Sequence, residues 1–553
     1  MPVPEDMRTS ENYKQLSFGA TYVDACAERM KGNLQEALKL FDACKRIDPT
    51  SAAVNYELGT IYKLLGANEQ ALSNAKLCAA ADPKNEWYQL LLIECYNGIK
   101  QYDQSIKIRE ELIKNFPNKP EFQEELAIEY SLTGRYDKAF KIYENLETIY
   151  GVSDQISINK VKLLKEQRKL KEAEAELLKL SDSNKKETRY YAYLAEFYME
   201  INALEKAKAM YEKILSIEPD NALVNLALHD YYSSQGKNDE AFVYLQKAFR
   251  NPDLDVSTKA NIVNSFYKRA LGLNDLKIKD EGFELAQIML KVHPTSAESN
   301  YFYADFLVLQ KNLNAAAKYY YVSTTINGHN YSAWSKLLVV EYEINAYDSL
   351  ERHSSQAIEI FPSQPSVYLY NGIANMQLKN YKKAAQSLND GIEFVIDNKS
   401  LLLDFYKSLG DATNYLKDFA RSDKVFEDAL KLDSDNTYVL NNYAYFLSLR
   451  NENLEKAEKL SKKTIELRPN DRNYMDTYGW ILYQQEKYKE AAEWLSNASK
   501  LAPQNPNILE HYGDALYRLN NLSEALMQWL AAKRAGGDSE SLLKKIKNKK
   551  IDD

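Results

Sequence analysis

The chain has 553 residues, of which 45% are hydrophobic and 27% charged, and its formal net charge is −8. This acidic balance argues against a general nucleic-acid binder, which would carry a basic face, and no stretch approaches the roughly 18 continuous apolar residues of a membrane-spanning helix. The chain is also too long for one hydrophobic core, a length that an array of small repeated units tolerates.

Residues 1–17 are predicted to form an N-terminal extension. They contain no apolar run of signal-peptide length after a basic start. Residues 23–26 end in Ala-Cys like a lipoprotein cleavage box, but Asp24 stands where such boxes have a small or apolar residue. Cys26 is therefore expected to be an ordinary helix residue. The chain is expected to be either cytosolic or one from which a targeting segment has been removed.

From about residue 18 onward the chain repeats with a period of 34 residues. Pro49, Pro83 and Pro117 are 34 residues apart, and Pro219 lies five periods after Pro49. The lattice continues through further closing positions, which are Gly151, Lys185, Asp253, Pro294, Gly328, Pro362, Ile396, Ser434, Pro469, Pro503 and Gly537. A fixed period of this length with two helical stretches per unit is typical of stacked helix–turn–helix repeats. It predicts about fifteen repeats over residues 18–539.

Two further marks recur with this period. Twelve residues before the closing position a small residue lets two helices pack closely. The alanines at this position are Ala37, Ala71, Ala139, Ala173, Ala207, Ala241, Ala316, Ala384, Ala457, Ala491 and Ala525. Eight residues before the closing position a larger apolar or aromatic residue is common, as in Phe41, Tyr143, Tyr211, Tyr320, Phe426 and Trp529. Each predicted helix is too short to be stable alone, so its apolar face needs the next repeat to cover it.

The predicted first helices carry a recurring motif as well. It is seen in Leu58-Gly59-x-x-Tyr62, Leu194-Ala195-x-x-Tyr198, Tyr478-Gly479 and Tyr512-Gly513. Together with the period, the small residue and the closing proline, this motif resembles the tetratricopeptide repeat, and the resemblance covers nearly the whole chain. It implies an all-α fold, a right-handed α-solenoid of about fifteen helix–turn–helix repeats.

Two irregular spacings interrupt the array. The closing positions are 41 residues apart in the repeat that ends at Pro294 and 38 apart in the repeat that ends at Ser434. The extra residues must lie in loops or lengthened helices, and they fit either an insertion on a binding face or a neutral change of length. The longer repeat marks the best internal boundary. We therefore predict seven repeats in residues 18–255 and eight in residues 256–539, the first of them lengthened.

Residues 540–553 are predicted to form a short capping helix and a basic tail. A terminal repeat needs a polar outer face for solubility. The residues assigned to this face are Lys544, Lys545, Lys547 and Lys549, beside Leu542, Leu543 and Ile546. A solvated chain end explains this basic run better than a phosphate-binding site does.

No motif predicts catalysis or metal binding. The four cysteines lack C-x-x-C spacing, and the five histidines are scattered over different repeats without the spacing of metal ligands. The sequence contains no G-x-x-x-x-G-K-[ST], G-x-S-x-G or H-E-x-x-H motif. It therefore predicts a protein that is not an enzyme and that needs no cofactor or metal.

The resemblance implies that the first helix of each repeat lines a concave groove. The groove-facing position recurs 23 residues before the closing position, and we call it the groove slot. It holds an acid or a tryptophan at Glu94, Glu196, Asp230, Asp305, Asp411, Asp514 and Trp480. The acids would form a stripe that binds a protein partner, although an ordinary solvated helix face explains them equally well.

A protein partner is expected to meet these acids with basic or hydrogen-bonding groups. Near the C-terminal end it is expected to meet an aromatic patch of Trp480, Tyr483 and Tyr517. Repeat proteins that capture acidic chaperone tails use a set of Lys, Asn and Arg in consecutive first helices. That set is absent from the groove slots here, which argues against a co-chaperone of this type.

Several phrases, IDPTSAAVNYELGTIY and DTYGWILYQQEKYKEAAEWL among them, resemble long tetratricopeptide proteins of Bacteroidota, which are commonly lipoproteins that face the periplasm. The resemblance implies a non-catalytic scaffold or adaptor in a multi-protein cell-envelope assembly at the periplasmic side of the outer membrane. Membrane attachment would use a lipid anchor not present in this chain. A cytosolic assembly chaperone or regulator that holds client proteins remains an alternative, as does a subunit of a peptide- or glycan-handling enzyme whose active partner lies elsewhere.

Overall fold

The structure is a computed structural model that describes residues 11–273 and 275–551. Within those residues every regular element is an α-helix, and the helices follow one another in antiparallel pairs. Contacts divide the chain into two compact units at Leu245/Gln246. We call them the N-terminal block and the C-terminal block.

The N-terminal block consists of six complete helix pairs and the first helix of a seventh. Its helices are α1 (Glu11–Met30), α2 (Leu34–Ile47), α3 (Ala52–Leu64), α4 (Asn68–Ala81), α5 (Glu86–Gly98), α6 (Tyr102–Asn115), α7 (Pro120–Leu132), α8 (Tyr136–Tyr150), α9 (Asp154–Glu166), α10 (Leu170–Ser183), α11 (Thr188–Glu200), α12 (Leu204–Ile217) and α13 (Ala222–Ser234). The next helix, α14 (Asn238–Arg250), contains the boundary between the blocks. Residues 11–17, which the sequence assigns to an extension, belong to α1.

The C-terminal block consists of eight helix pairs and a final single helix. Its helices are α15 (Val256–Leu273), α16 (Leu276–Val292), α17 (Ala297–Leu309), α18 (Leu313–Ile326), α19 (Tyr331–Glu343), α20 (Tyr347–Ile360), α21 (Pro365–Gln377), α22 (Tyr381–Ile392), α23 (Lys399–Tyr415), α24 (Phe419–Leu432), α25 (Thr437–Arg450), α26 (Leu454–Leu467), α27 (Arg472–Gln484), α28 (Tyr488–Leu501), α29 (Pro506–Arg518), α30 (Leu522–Arg534) and α31 (Glu540–Asn548). In both blocks the odd-numbered helices up to α29 are the first helices of their repeats.

The closing turn of one repeat supplies the start of the next. Its last residue is often Ser, Asn or Asp, whose side chain accepts a hydrogen bond from a backbone N–H in the first turn of the following helix. Residues that cap a first helix in this way are Ser51, Asn85, Ser153, Asn221, Ser296, Asn330, Asn398, Asn436, Asp471 and Asn505. Each such cap contributes about 1 kcal/mol to helix stability, so the end of one helix and the start of the next are specified together.

The turn inside most repeats uses a left-handed backbone residue. Glycine takes this conformation at Gly32, Gly66, Gly134 and Gly236. Other residue types take it at the equivalent places, which are Lys100, Arg168, Asn202, Lys311, Asn345, Lys379, Lys417, Asn451, Glu486 and Asn520. The backbone path therefore repeats even where the sequence of the turn does not.

The predicted small-residue position is buried in the repeats that have an alanine there. All eleven alanines assigned to it are at most 1% exposed. Successive first helices also touch one another directly: α21 contacts α23, and α23 contacts α25. In the part of the chain described, successive second helices show no comparable contact. In the C-terminal block most first helices therefore touch their successors and form one side, on which the groove slots lie. One buried cluster, from Ala304 to Val425, extends through four repeats without interruption.

The extra residues of the two irregular repeats lengthen helices. In the repeat with a spacing of 41, α15 and α16 have 18 and 17 residues, where helices of 13 or 14 residues are usual. In the repeat with a spacing of 38, α23 has 17 residues. Among the described residues, none of the helices combines the length and hydrophobicity that a transmembrane segment requires.

Candidate functional site

A pocket opens on the first-helix side of the C-terminal block. It has a volume of about 450 Å³ and is built from four consecutive first helices, α19, α21, α23 and α25, with one residue from α20. Its lining residues are Tyr342, Tyr347, Leu369, Tyr370, Ile373, Met376, Gln377, Asp404, Lys407, Ser408, Asp411 and Tyr438. Four tyrosines and three aliphatic side chains make the wall amphipathic, which suits the capture of a side chain from another protein.

Asp411 is the buried acid of this pocket. Only 8% of its surface is exposed. Its carboxylate accepts a hydrogen bond from the Tyr438 hydroxyl and another, 3.2 Å long, from Asn442 Nδ2. Burial raises the pKa of Asp411 from 3.8 to about 6, because the hydrogen bonds only partly replace the lost hydration. The nearest ammonium, that of Lys407, is bonded to Asp404 at 2.6 Å.

Two other groove-slot acids of the C-terminal block are also buried. Asp305 is 1% exposed and accepts hydrogen bonds from the Tyr320 hydroxyl and, at 2.6 Å, from the Lys336 ammonium. Asp514 is 3% exposed and accepts from Trp529 Nε1 at 2.9 Å and from the Lys545 ammonium at 2.6 Å. Burial raises the pKa of both carboxyls, and the neighbouring lysines oppose that rise.

The predicted acidic stripe is therefore wrong for the C-terminal block. Asp305 and Asp514 are covered by neighbouring side chains that take up their carboxylates. Asp411 lines the pocket, but it is only 8% exposed and is bonded to Tyr438 and Asn442. In the N-terminal block the slot acids are exposed, as at Glu196 and Asp230, and the third of them, Glu94, forms a surface ion pair with Lys63. The binding role assigned to all six acids stays a prediction.

The predicted aromatic patch is only partly assembled. Trp480 stacks on Tyr483, with ring centroids 4.8 Å apart, and on His511 at 4.2 Å. Tyr517 packs instead on Trp529, at 5.7 Å. Burial tends to lower the pKa of His511, but the Asp476 carboxylate at 2.9 Å outweighs burial and raises it. Trp480 is thus stacked between Tyr483 of its own helix and His511 of the next repeat. Its Nε1 is buried and has no hydrogen-bond partner.

The assignment of Lys545 to a polar outer face is also wrong. Lys545 is 9% exposed, and its ammonium is bonded to Glu510 at 2.8 Å and to Asp514. Leu542 on the same helix is fully buried. Helix α31 therefore packs on the last repeat through the Lys545 ammonium and the Leu542 side chain, while Lys544 and Lys547 remain exposed.

Sequence reasoning missed the pocket itself. Tyr342, Tyr370 and Tyr438 lie on three different first helices, and none of them occupies the groove slot. The available signal was the frequency of tyrosine on first helices between residues 331 and 450, which the slot rule did not use. Among the described residues no group of His, Cys, Asp and Glu has the arrangement of a metal site.

Two family models match parts of the chain. The model described as "Tetratricopeptide repeat" matches residues 188–221, which comprise helices α11 and α12 and one full period. This stretch is a tetratricopeptide repeat, and the helix pairs along the rest of the array repeat its arrangement. A second model, described as "Anaphase-promoting complex, cyclosome, subunit 3", matches residues 450–530 of the array. The chain is accordingly a non-catalytic array of the kind that binds other proteins.

A curated relative of the array is the TPR repeat-containing protein PA4667 of Pseudomonas aeruginosa. The two are 29% identical over 133 residues, a stretch that covers 24% of this chain and 22% of that protein. The match thus spans about a fifth of the relative's length.

Several solved structures are similar to the array in fold. The structure of Naa15/Naa10 bound to HypK-THB has a TM-score of 0.36 at 14% identity, covering 99% of this chain and 92% of that one. The APC/C hetero-tetramer Cut9-Hcn1 has a TM-score of 0.35 at 14% identity, covering 92% and 97%. A tetratricopeptide repeat protein from Parabacteroides merdae has a TM-score of 0.39 at 13% identity, covering 46% and 98%. The partners named for those complexes belong to those proteins.

Proposed function

We propose that the array binds an extended segment of a partner protein along the first-helix side of its C-terminal block. The observation that carries this proposal is the pocket formed by α19, α21, α23 and α25. A pocket that takes residues from four successive repeats is long in the direction of the array, so a strand or loop of a partner could follow it from repeat to repeat. The affinity would then come from several modest contacts along the segment.

The pocket wall has the composition of a protein-binding surface. Tyr342 and Tyr438 are 43% and 44% exposed, and Tyr342 lies against Tyr370 with ring centroids 6.0 Å apart. Tyrosine offers a large apolar contact area together with a hydroxyl, and it loses little conformational entropy on binding. Beneath these rings, Leu369 is 7% exposed and continues into the buried cluster of the block. The floor is therefore rigid, which favours recognition of a defined segment.

The test is site-specific photocrosslinking in the source organism. A photoreactive phenylalanine at Tyr342 should capture the partner, because this ring stands at the pocket. The matched control is Tyr321, which is 37% exposed but lies on the second helix α18. Crosslinks from Tyr342 and none from Tyr321, with the product identified by mass spectrometry, are the expected result. Equal crosslinking from both positions, or crosslinking from Tyr321 alone, would reject the pocket as the binding site.

We further propose that this interaction belongs to a cell-envelope assembly on the periplasmic side of the outer membrane. The support is the resemblance of the sequence phrases to Bacteroidota envelope proteins. Fractionation of cells that produce the chain from its native locus tests the compartment. Recovery with the outer membrane is expected, and recovery of the chain in the cytosol with bound client proteins would favour the chaperone alternative.

A further inference from the structure

We propose that the pocket selects a lysine side chain of the partner, whose ammonium would bind beside Asp411. This inference rests on the proposed function and specifies what the pocket recognises. A buried aspartate occurs at three groove slots, and the residues around Asp411 differ from those around Asp305 and Asp514.

The residue 31 positions after each buried acid decides its partner. After Asp305 this residue is Lys336, and after Asp514 it is Lys545, and each donates its ammonium to the acid at 2.6 Å. After Asp411 it is Asn442, which donates only an amide at 3.2 Å. Two of the three acids therefore receive an ammonium from the helix two further along the chain, and Asp411 receives none from that position.

The residue 15 positions after each acid differs in the same way. Tyr320 and Trp529 donate hydrogen bonds to Asp305 and Asp514 from their own repeats. The equivalent residue after Asp411 is Phe426, a fully buried ring that has no donor to offer. Tyr438 from the next first helix supplies the missing hydrogen bond. Asp411 is thus satisfied in hydrogen bonds but lacks a bound cation, and a buried carboxylate without one is unfavourable.

The pocket opens at this acid and at neither of the other two. Asp411 is one of its lining residues, whereas the lysines of the array occupy the corresponding space at Asp305 and Asp514. The tyrosine rings of the wall would surround an alkylammonium chain and favour its charge through their π faces. The array uses the same combination at Lys336, which lies 4.5 Å from the Tyr301 ring centroid while bonded to Asp305.

The other charged side chains of the pocket are Lys407 and Asp404. Lys407 would repel one, but its ammonium is bonded to Asp404 at 2.6 Å, so the pair is close to neutral. Tyr438 remains a neutral donor, since burial and the adjacent Asp411 raise its pKa far above physiological pH. The net charge facing the ligand is therefore that of Asp411. Because burial raises its pKa to about 6, lysine capture should weaken as the pH falls from 7.5 to 5.

Three labelled peptides, acetyl-GSLXLSG-amide with X as lysine, norleucine or arginine, test this on the full-length chain by fluorescence anisotropy. We expect the lysine peptide to bind at least about tenfold more tightly than the norleucine peptide at pH 7.5, and to lose this preference at pH 5. Asp411→Asn should abolish the preference. Asp305→Asn, at the equivalent slot away from the pocket, should retain it, provided that its circular dichroism spectrum confirms a folded chain.

A second variant tests the same point by supplying the cation from the chain itself. Asn442→Lys would restore the ammonium that Lys336 and Lys545 supply elsewhere, so it should block the lysine peptide and raise the melting temperature. Asn442→Gln, similar in size but uncharged, is its control and should do neither.

Several results would overturn the lysine assignment. They are equal affinity for lysine and norleucine, no binding of the lysine peptide at millimolar concentration, tighter binding of the arginine peptide, or a lysine preference that survives Asp411→Asn. If the Tyr342 photocrosslink to the partner persists in that case, the proposed function stands and only the lysine assignment falls. If the crosslink is absent as well, both fall.

Discussion

The N-terminal and C-terminal blocks use the same groove slot in opposite ways. The acids at this slot in the N-terminal block, Glu94, Glu196 and Asp230, are exposed. Those of the C-terminal block are at most 8% exposed and are covered by residues from neighbouring helices. In the C-terminal block most first helices touch the first helix of the next repeat. In the N-terminal block this contact is found between α3 and α5. A recurring position in a repeat therefore specifies a place on the helix and leaves its exposure to the neighbouring repeats.

The N-terminal block buries charge elsewhere. Arg109 on the second helix α6 is 4% exposed and is bonded to Glu129 on α7 at 3.0 Å. Lys160 on α9 is 3% exposed and is bonded to Glu176 on α10 at 2.8 Å. These pairs lie between first and second helices and join neighbouring helices. In the C-terminal block three buried carboxylates, those of Asp305, Asp411 and Asp514, lie on the first-helix side itself, and Asp411 lines the pocket.

The largest expected effect is the loss of a core side chain in the C-terminal block. Trp334 is 4% exposed, and its Nε1 donates to the Gly328 carbonyl at 2.9 Å. Trp334→Ala should destabilise its surroundings by about 3–5 kcal/mol. Hydrogen exchange should then show lost protection over residues 297–398 and unchanged protection in the N-terminal block, because each repeat touches only its neighbours. A uniform loss across both blocks would mean that they share one cooperative core.

Removal of residues 540–553 is expected to have the next largest effect. It uncovers the surface that the fully buried Leu542 occupies and leaves Asp514 without the Lys545 ammonium. The last repeat should lose about 3 kcal/mol, and the exposed apolar surface should promote self-association that sedimentation velocity detects. Lys544→Gln with Lys547→Gln removes exposed charge of the same tail and should change neither property. A truncated chain that stays monomeric with the same melting temperature would contradict the capping role of α31.

Asp305→Asn should destabilise the C-terminal block by about 2 kcal/mol. The change removes the carboxylate that compensates the Lys336 ammonium, and loss of one partner of a buried pair usually costs about 3–5 kcal/mol. We expect less here because the Lys336 side chain is 34% exposed and can recover some hydration. Urea unfolding monitored by hydrogen exchange in α17 and α19 measures the effect. A neutral result would show that the pair contributes no net stability.

Asp411→Asn, in contrast, should increase the free energy of unfolding at neutral and alkaline pH. The pKa of Asp411 rises from 3.8 to about 6 in the folded chain, so the folded state binds a proton more tightly than the unfolded state does. The stability from this proton is present below pH 4 and is lost as the pH rises through 6. At pH 8 the uncharged asparagine should therefore be more stable than wild type by about 1–3 kcal/mol, with little difference near pH 4. Thermal melts between pH 4 and pH 8 measure this difference in stability. If wild type were the more stable protein at pH 8, Asp411 would have a compensating cation in the folded chain.

The smallest effect is expected for the exposed slot acids of the N-terminal block. Glu196→Gln combined with Asp230→Asn should change the free energy of unfolding by less than about 0.5 kcal/mol, because both side chains are exposed. Thermal melts and hydrogen exchange in α11 and α13 measure this. A change as large as that of Asp305→Asn would mean that the slot acids contribute equally to stability in both blocks.

Much of the fold was predictable because it depends on residues close together in the chain. The 34-residue period, the buried alanines and the caps at Ser51 or Asn85 all act within one repeat or one turn. The lengthened helices of the irregular repeats were among the stated possibilities. The left-handed turn residues were harder to predict, because glycine marks only some of them and Lys100 or Glu486 takes the same conformation without a sequence signal.

The sequence by itself determined the repeat, the pairing of helices and the side of each repeat on which the groove slot lies, because these follow from local periodicity and from small residues at helix contacts. Only the tertiary structure decided which acids are covered and which are open. Asp305 is neutralised by Lys336 from the next repeat, and Asp411 is not, because Asn442 occupies the matching position. Burial at these sites depends on residues about 15 and 31 positions away, which the stacking of repeats brings next to the acid. The repeat period fixes those positions but not which residue occupies them, so one acid meets a lysine and another meets an asparagine beside an open pocket.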